Sequence, residues 1–188
     1  YVSIWYDQSG EGHNAVQSSA SKQPEIANQT LRFGGNEVLS MASALYKNNT
    51  WDIFLACEPV SLSGYRQVLA QHPGDGIEGR VVFLQFTHSY PSTFFNNSTS
   101  YSLPYSQEVT GENYIIRTTA SNNAYYLSVN GNREELLLGV SLSPYQQAVD
   151  IGGYGANGEY IGNINEVVFY ESADASVGES INNHYNVY

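Results

Sequence analysis

Apolar and aromatic residues in this chain fall in short runs, each closed within a few residues by Gly, Asn, Asp or Pro. Many short runs at near-regular spacing, with these turn formers between them, argue for an all-β sandwich. The strongest run, residues 51–60 (WDIFLACEPV), is apolar almost throughout and reads as a central strand buried on both faces. Residues 1–6 alternate as a half-buried strand does, and 65–71, 80–87, 114–119, 125–129, 136–142, 148–151 and 164–170 supply further strands. Asn130-Gly131 is the strongest short-range hairpin signal. Gly34-Gly35-Asn36, between LRF and EVL, reads as a second hairpin, and residues 41–46 as a single helical turn. Residues 88–107, rich in Ser, Asn, Tyr and Phe, read as a long loop or an irregular edge hairpin.

The end of the chain changes period. Ser176 and Glu179 have capping-box spacing, and Val177, Ile181, Tyr185 and Tyr188 follow a helical stripe. A short C-terminal helix packed on the sandwich is therefore expected. With no internal repeat and no linker-like stretch, residues 1–188 read as one domain. The opening on YVSIWY without an initiator Met suggests a processed or excised piece of a longer chain.

Composition narrows the partners. Seven Lys and Arg stand against 18 Asp and Glu, a formal net charge of −11, which opposes nucleic acid and anionic membrane surfaces. Hydrophobic residues make up 41%, too many for a disordered chain, yet no window approaches the roughly 20 apolar residues of a membrane span. Cys57 is the only cysteine, so no intrachain disulfide forms, and inside its apolar run it reads as a small buried hydrophobe.

Two stretches resemble a family. WYDQSGEGHNAVQ (5–17) followed by QPEI (23–26) is similar to the opening signature of laminin-G-like domains of bacterial and phage proteins, within the concanavalin A-like jelly rolls. IGGYGANGEYIGNINEVVFYESADASVGESINNHYNVY (151–188) resembles the ending of the same domains, and LRFGG and YYLSVNG fall where they have equivalents. The resemblance implies a two-sheet antiparallel jelly roll with its first and penultimate strands close together. It implies a binding or adhesion module on an extracellular or virion-surface protein more often than an enzyme. A similar turn and ending occur in the catalytic domain of fungal arabinofuranosidase B, which is longer and cysteine-rich.

The residues point to chemistry only loosely. In the WYDQSG stretch, Asp7 and Ser9 are suited to accept turn N–H groups, Gly10 and Gly12 to permit the bend, and Trp5 to fill core, a structural role. Glycoside hydrolysis needs two carboxyl groups facing each other across a cleft, and no spacing here announces such a pair. His13, His72, His88 and His184 are scattered without zinc-ligand spacing, and there is no Gly-x-Ser-x-Gly elbow. No cofactor is required; a structural calcium is the metal worth considering, with Asp75, Glu78 and Asp150 as candidate ligands.

Sugar binding fits better, because it needs an aromatic face for C–H stacking and amides for hydroxyls. Two segments carry that mixture: 88–105, with Tyr90, Phe95, Asn97 and Tyr101, and 153–162, with Tyr154, Asn157 and Tyr160. Sequons at Asn28, Asn48, Asn96 and Asn97 number near the roughly three that chance supplies. The expectation is a non-catalytic extracellular or virion-surface module for glycans or a partner surface. The alternatives are a structural subunit forming homo-oligomers or filaments, and a reduced glycoside hydrolase.

Overall fold

A computed structural model of the chain describes residues 1–42, 50–71, 80–97, 99–109, 111–121, 124–137, 148–153, 159–170, 180–181 and 183–184. For 80–83, 94–97, 99–101 and 134–137 it describes the backbone alone. The short runs become strands, in chain order β1 (Ile4–Trp5), β2 (Ala15–Val16), β3 (Glu25–Ala27), β4 (Thr30–Gly34) and β5 (Leu39–Met41). Then come β6 (Trp51–Pro59), β7 (Tyr65–Gln71), β8 (Arg80–Thr87), β9 (Tyr90–Asn97) and β10 (Thr99–Pro104). The last five are β11 (Tyr114–Ser121), β12 (Ala124–Val129), β13 (Asn132–Leu137), β14 (Val149–Ile151) and β15 (Ile161–Tyr170).

They form two antiparallel sheets. One runs β1-β2-β5-β14-β7-β8-β9-β10 and the other β13-β12-β11-β6-β15-β4-β3. The result is a two-sheet jelly-roll sandwich. The first strand and the penultimate one share a sheet, with β2 and β5 between them.

The apolar run sits where its composition requires. β6 is the middle strand of the seven, and Trp51, Ile53, Leu55 and Cys57 face the core between the sheets. On its other face Asp52, Phe54 and Ala56 are buried too. Asp52 is fully buried and takes two donors from Arg117, at 2.7 and 2.5 Å, and the Thr119 hydroxyl at 3.0 Å. A carboxylate without water needs that pairing. The core rings meet in pairs: Trp51 with Tyr125 at 5.5 Å, and Tyr160 with Phe86 and Phe33 at 6.2 Å each. Asn130 and Gly131, with φ of 47° and 82°, close the β12–β13 hairpin as expected.

Some local expectations fail for long-range reasons, while others hold or lie outside the described residues. Gly34-Gly35-Asn36 does not close a hairpin, because β4 and β5 belong to opposite sheets and the segment crosses between them. Phe33 and Leu39 both enter the core, one from each side. The actual hairpin is β3–β4, closed by Asn28 and Gln29 at φ of 53° and 66°, as a type I′ turn requires. Met41 ends β5, where it pairs with Val149, and residues 43–46 of the expected helical turn lie outside the described residues. In the first six residues only Ile4–Trp5 pairs. Most of residues 88–107 forms the edge hairpin β9–β10. Ser180, Ile181, Asn183 and His184 are helical, and the rest of the expected C-terminal helix lies outside the described residues.

Candidate functional site

The β1–β2 hairpin carries a loop, residues 6–14, that folds around one carboxylate. Asp7 accepts the Ser9 N–H at 2.8 Å, the Ser9 hydroxyl at 2.8 Å and the His13 N–H at 2.9 Å. Its own N–H donates to Asn14 Oδ1 at 2.9 Å. Gly10 and Gly12 take φ of 88° and 81°, a region L side chains avoid. The Ser9 hydroxyl, then the Ser9 and His13 N–H groups, favour the charged carboxylate and hold its pKa at about 2. The turn is thus built as its residue types suggest. Trp5 is only partly buried, packed against the core rather than inside it.

Opposite this loop, β15 makes a bulge. Ile164 opposes Cys57 and Glu166 opposes Ala56, so Asn165 is an extra residue without an opposite. The insertion resets the alternation. Ile164 faces the core, and so do Val167 and Phe169, where an unbroken period of two would have sent Glu166 and Val168 inward. On the side away from β6, β4 pairs only with residues 161–164 of β15. From Asn165 onward that edge has no strand beside it among the described residues.

A cleft of about 620 Å³ runs along this edge. Trp5 of β1, Tyr6, Asp7 and His13 of the loop and residues 165–170 of β15 line it. Ala15, Met41, Ile151 and His184 also line it. Tyr6 and Tyr170 are 64% and 40% exposed. The cleft therefore joins aromatic side chains to two carboxylates, two amides and two imidazoles.

The residues singled out from sequence are dispersed. Tyr90 is partly exposed on β9, and its hydroxyl donates to Glu108 at 3.1 Å, which raises its pKa. Phe95 on β9 stands opposite Tyr101 on β10, and Asn97 opposite Thr99. Asn96 lies on the same strand, paired with Arg80. Tyr160 corrects an expectation: it is fully buried, its hydroxyl donating to the Asn163 carbonyl at 3.2 Å, so its ring cannot stack on a sugar. Asp150 pairs with Ser40, whose hydroxyl donates to it at 2.5 Å, while burial raises its pKa. Asn28 is exposed in the β3–β4 turn. Asn48, Asp75, Glu78, Tyr154 and Asn157 lie outside the described residues. Among the described residues no three His, Cys, Asp or Glu side chains cluster as metal ligands would. Cys57 is buried, and loss of water pushes its thiol up to about 12.

The cleft residues Tyr6, His13, Asn165, Phe169, Tyr170 and His184 were not foreseen as a site. Their only signal in the sequence is that the two stretches carrying the family resemblance are the two that meet there.

The architecture is that of a two-sheet antiparallel jelly-roll sandwich. Superposition on solved structures supports this at the level of fold. A Trypanosoma rangeli sialidase in complex with sialic acid matches with a TM-score of 0.67 and 16% identity, over 94% of this chain and 30% of that one. Mouse laminin alpha1 domains LG4-5 match at 0.64 and 15%, over 76% and 40%. The Ruminococcus gnavus IT-sialidase CBM40 bound to alpha2,3 sialyllactose matches at 0.67 and 13%, over 85% and 98%. The chain thus spans about 30% of the sialidase's length. No protein-family model and no curated protein matches the sequence. Among the described residues, no helix is long and apolar enough to cross a membrane.

Proposed function

We propose that this chain is a non-catalytic glycan-binding module of an extracellular or virion-surface protein, and that the cleft beside β15 is its sugar site. The cleft's lining carries the reading: exposed Tyr6 and Tyr170 stand with the polar side chains of Gln8 and His13 around one hollow. A sugar ring offers an apolar C–H face for the former and hydroxyls for the latter. The jelly-roll neighbour bound to sialyllactose supports the same class of ligand through likeness of fold.

The state of Asp7 unsuits it for the acid's part in glycoside hydrolysis. A glycosidase acid needs a carboxyl group whose pKa is raised toward neutrality. Three donors drive Asp7 the other way, to about 2. The test is a glycan array followed by calorimetry, with and without calcium, on the native chain and on Tyr6→Ala and Tyr170→Ala. Loss of a stacking ring should weaken binding about fivefold, from the roughly 1 kcal/mol such a contact supplies. Binding that survives both substitutions undiminished would remove the cleft from consideration. Turnover of arabinan or glucan oligosaccharides would refute the non-catalytic reading.

A further inference from the structure

We propose that the outer face of the eight-stranded sheet carries a second site for hydroxyl-rich oligosaccharides, centred on Gln67, Gln85 and Ser92. None of the three lines the cleft beside β15. Register sets them in one row: Gln67 of β7 stands opposite Gln85 of β8, and Gln85 opposite Ser92 of β9. Residues directly opposite share a face of the sheet. Leu84 and Phe86, on either side of Gln85, point into the core, so the row lies on the face away from it. Polar residues on such a face ordinarily stand in water. These are instead only 6%, 8% and 2% exposed, and among the described residues neither Gln67 Oε1 nor Ser92 Oγ has a hydrogen-bond partner. Each unmet group lowers the stability of the free protein, and a ligand that supplies the missing partner restores it.

One pair further along the same strands the face becomes aromatic. Tyr65 opposes Thr87, Thr87 opposes Tyr90, and the two tyrosines are 62% and 38% exposed. Positions two apart on a strand are about 7 Å apart, and Tyr65 and Tyr90, separated by one strand, stand about 10 Å apart. That grid has room for a short stretch of oligosaccharide. The Tyr90 hydroxyl donates to Glu108 at 3.1 Å, which restrains its ring before a ligand arrives. The rings offer apolar surface to sugar C–H groups, while Gln67 Oε1 accepts a hydroxyl proton and Ser92 Oγ can donate or accept. Gln67 and Gln85 each keep some surface open to solvent, so a turn of their side chains brings the row to an entering sugar.

The experiment titrates the chain with maltohexaose, cellohexaose, xylohexaose and α2,3-sialyllactose in turn and follows the backbone amides by NMR. At least one probe should shift the amides of Tyr65, Gln67, Gln85 and Tyr90 in a saturable way. Tyr65→Ala, at an exposed ring, should weaken that response about fivefold. Gln67→Met should abolish it and raise the thermal midpoint of the free protein, because the unmet acceptor is gone. Tyr6→Ala, in the cleft, should leave it unchanged. Shifts confined to the cleft residues would overturn the second site and leave the cleft standing. A response at Tyr65 to Tyr90 that survives both Tyr65→Ala and Gln67→Met would overturn it as well, and so would silence towards all four probes. If Gln67→Met does not fold, Tyr65→Ala decides the matter alone.

Discussion

Deletion of Asn165 separates two accounts of the bulge in β15. Because Ile164 already opposes Cys57 and Glu166 already opposes Ala56, removing the extra residue leaves a ladder in register. Val167 would stay opposite Leu55 and Phe169 opposite Ile53, both still facing the core. The deletion also removes the Oδ1 of Asn165, which is buried and has no hydrogen-bond partner among the described residues. An unmet buried acceptor costs about 1–3 kcal/mol, so stability should hold within about 1 kcal/mol or rise. If instead the bulge were needed to aim the strand, the deletion would turn Val167 and Phe169 outward. Both are partly buried, and about half of the roughly 1.5–3 kcal/mol that full burial of each is worth gives a loss of about 1.5–3 kcal/mol. Urea unfolding reads the difference as a midpoint shift at unchanged slope. A loss of that size would refute the view that Asn165 is an insertion in an otherwise regular ladder. Calorimetry on the same variant should show weaker sugar binding, because one wall of the cleft has changed.

Three further outcomes are expected. Gly152→Ala should destabilise by about 2–5 kcal/mol, combining a left-handed φ with overpacking. At φ +97° its methyl would strike the Phe33 ring and stand 2.8 Å from the Glu37 carbonyl oxygen. Gly10→Ala, at φ +88° with nothing within 4 Å, should cost only the backbone share, about 1–2 kcal/mol; equal losses in the two variants would contradict this steric account. Arg117→Met takes two donors from the fully buried Asp52 and should cost about 3 kcal/mol in chemical denaturation, most of it recovered by adding Asp52→Asn. For Asp7 the folded pKa of about 2 lies below the ordinary 3.8, so its contribution is complete above pH 4 and is lost as pH falls through 2. Amide shifts of Ser9 and His13 followed against pH should move with a midpoint near 2, and a midpoint near 3.8 would exclude the hydrogen-bonded turn.

What the sequence alone determined was local. Apolar residues on both parities of residues 51–60 require a strand covered on both faces, and β6 is that strand. Asn130-Gly131 names its turn because both residues tolerate positive φ. Asp7, Ser9 and the two glycines close the loop after β1 through neighbours in the chain, so their roles could be read without a structure. Tertiary structure decided which sheet each strand joins, since pairing partners far apart in sequence leave no local mark. Gly34-Gly35-Asn36 looks like a hairpin and crosses between sheets, while Asn28-Gln29, without a glycine, forms the real one. Tyrosine suits a core and a sugar platform equally, so only packing could bury Tyr160 and leave Tyr6 and Tyr170 outside. The cleft belongs wholly to this second category. It arises because one extra residue in β15 meets the end of its pairing with β4, in front of a loop some 150 residues earlier in the chain.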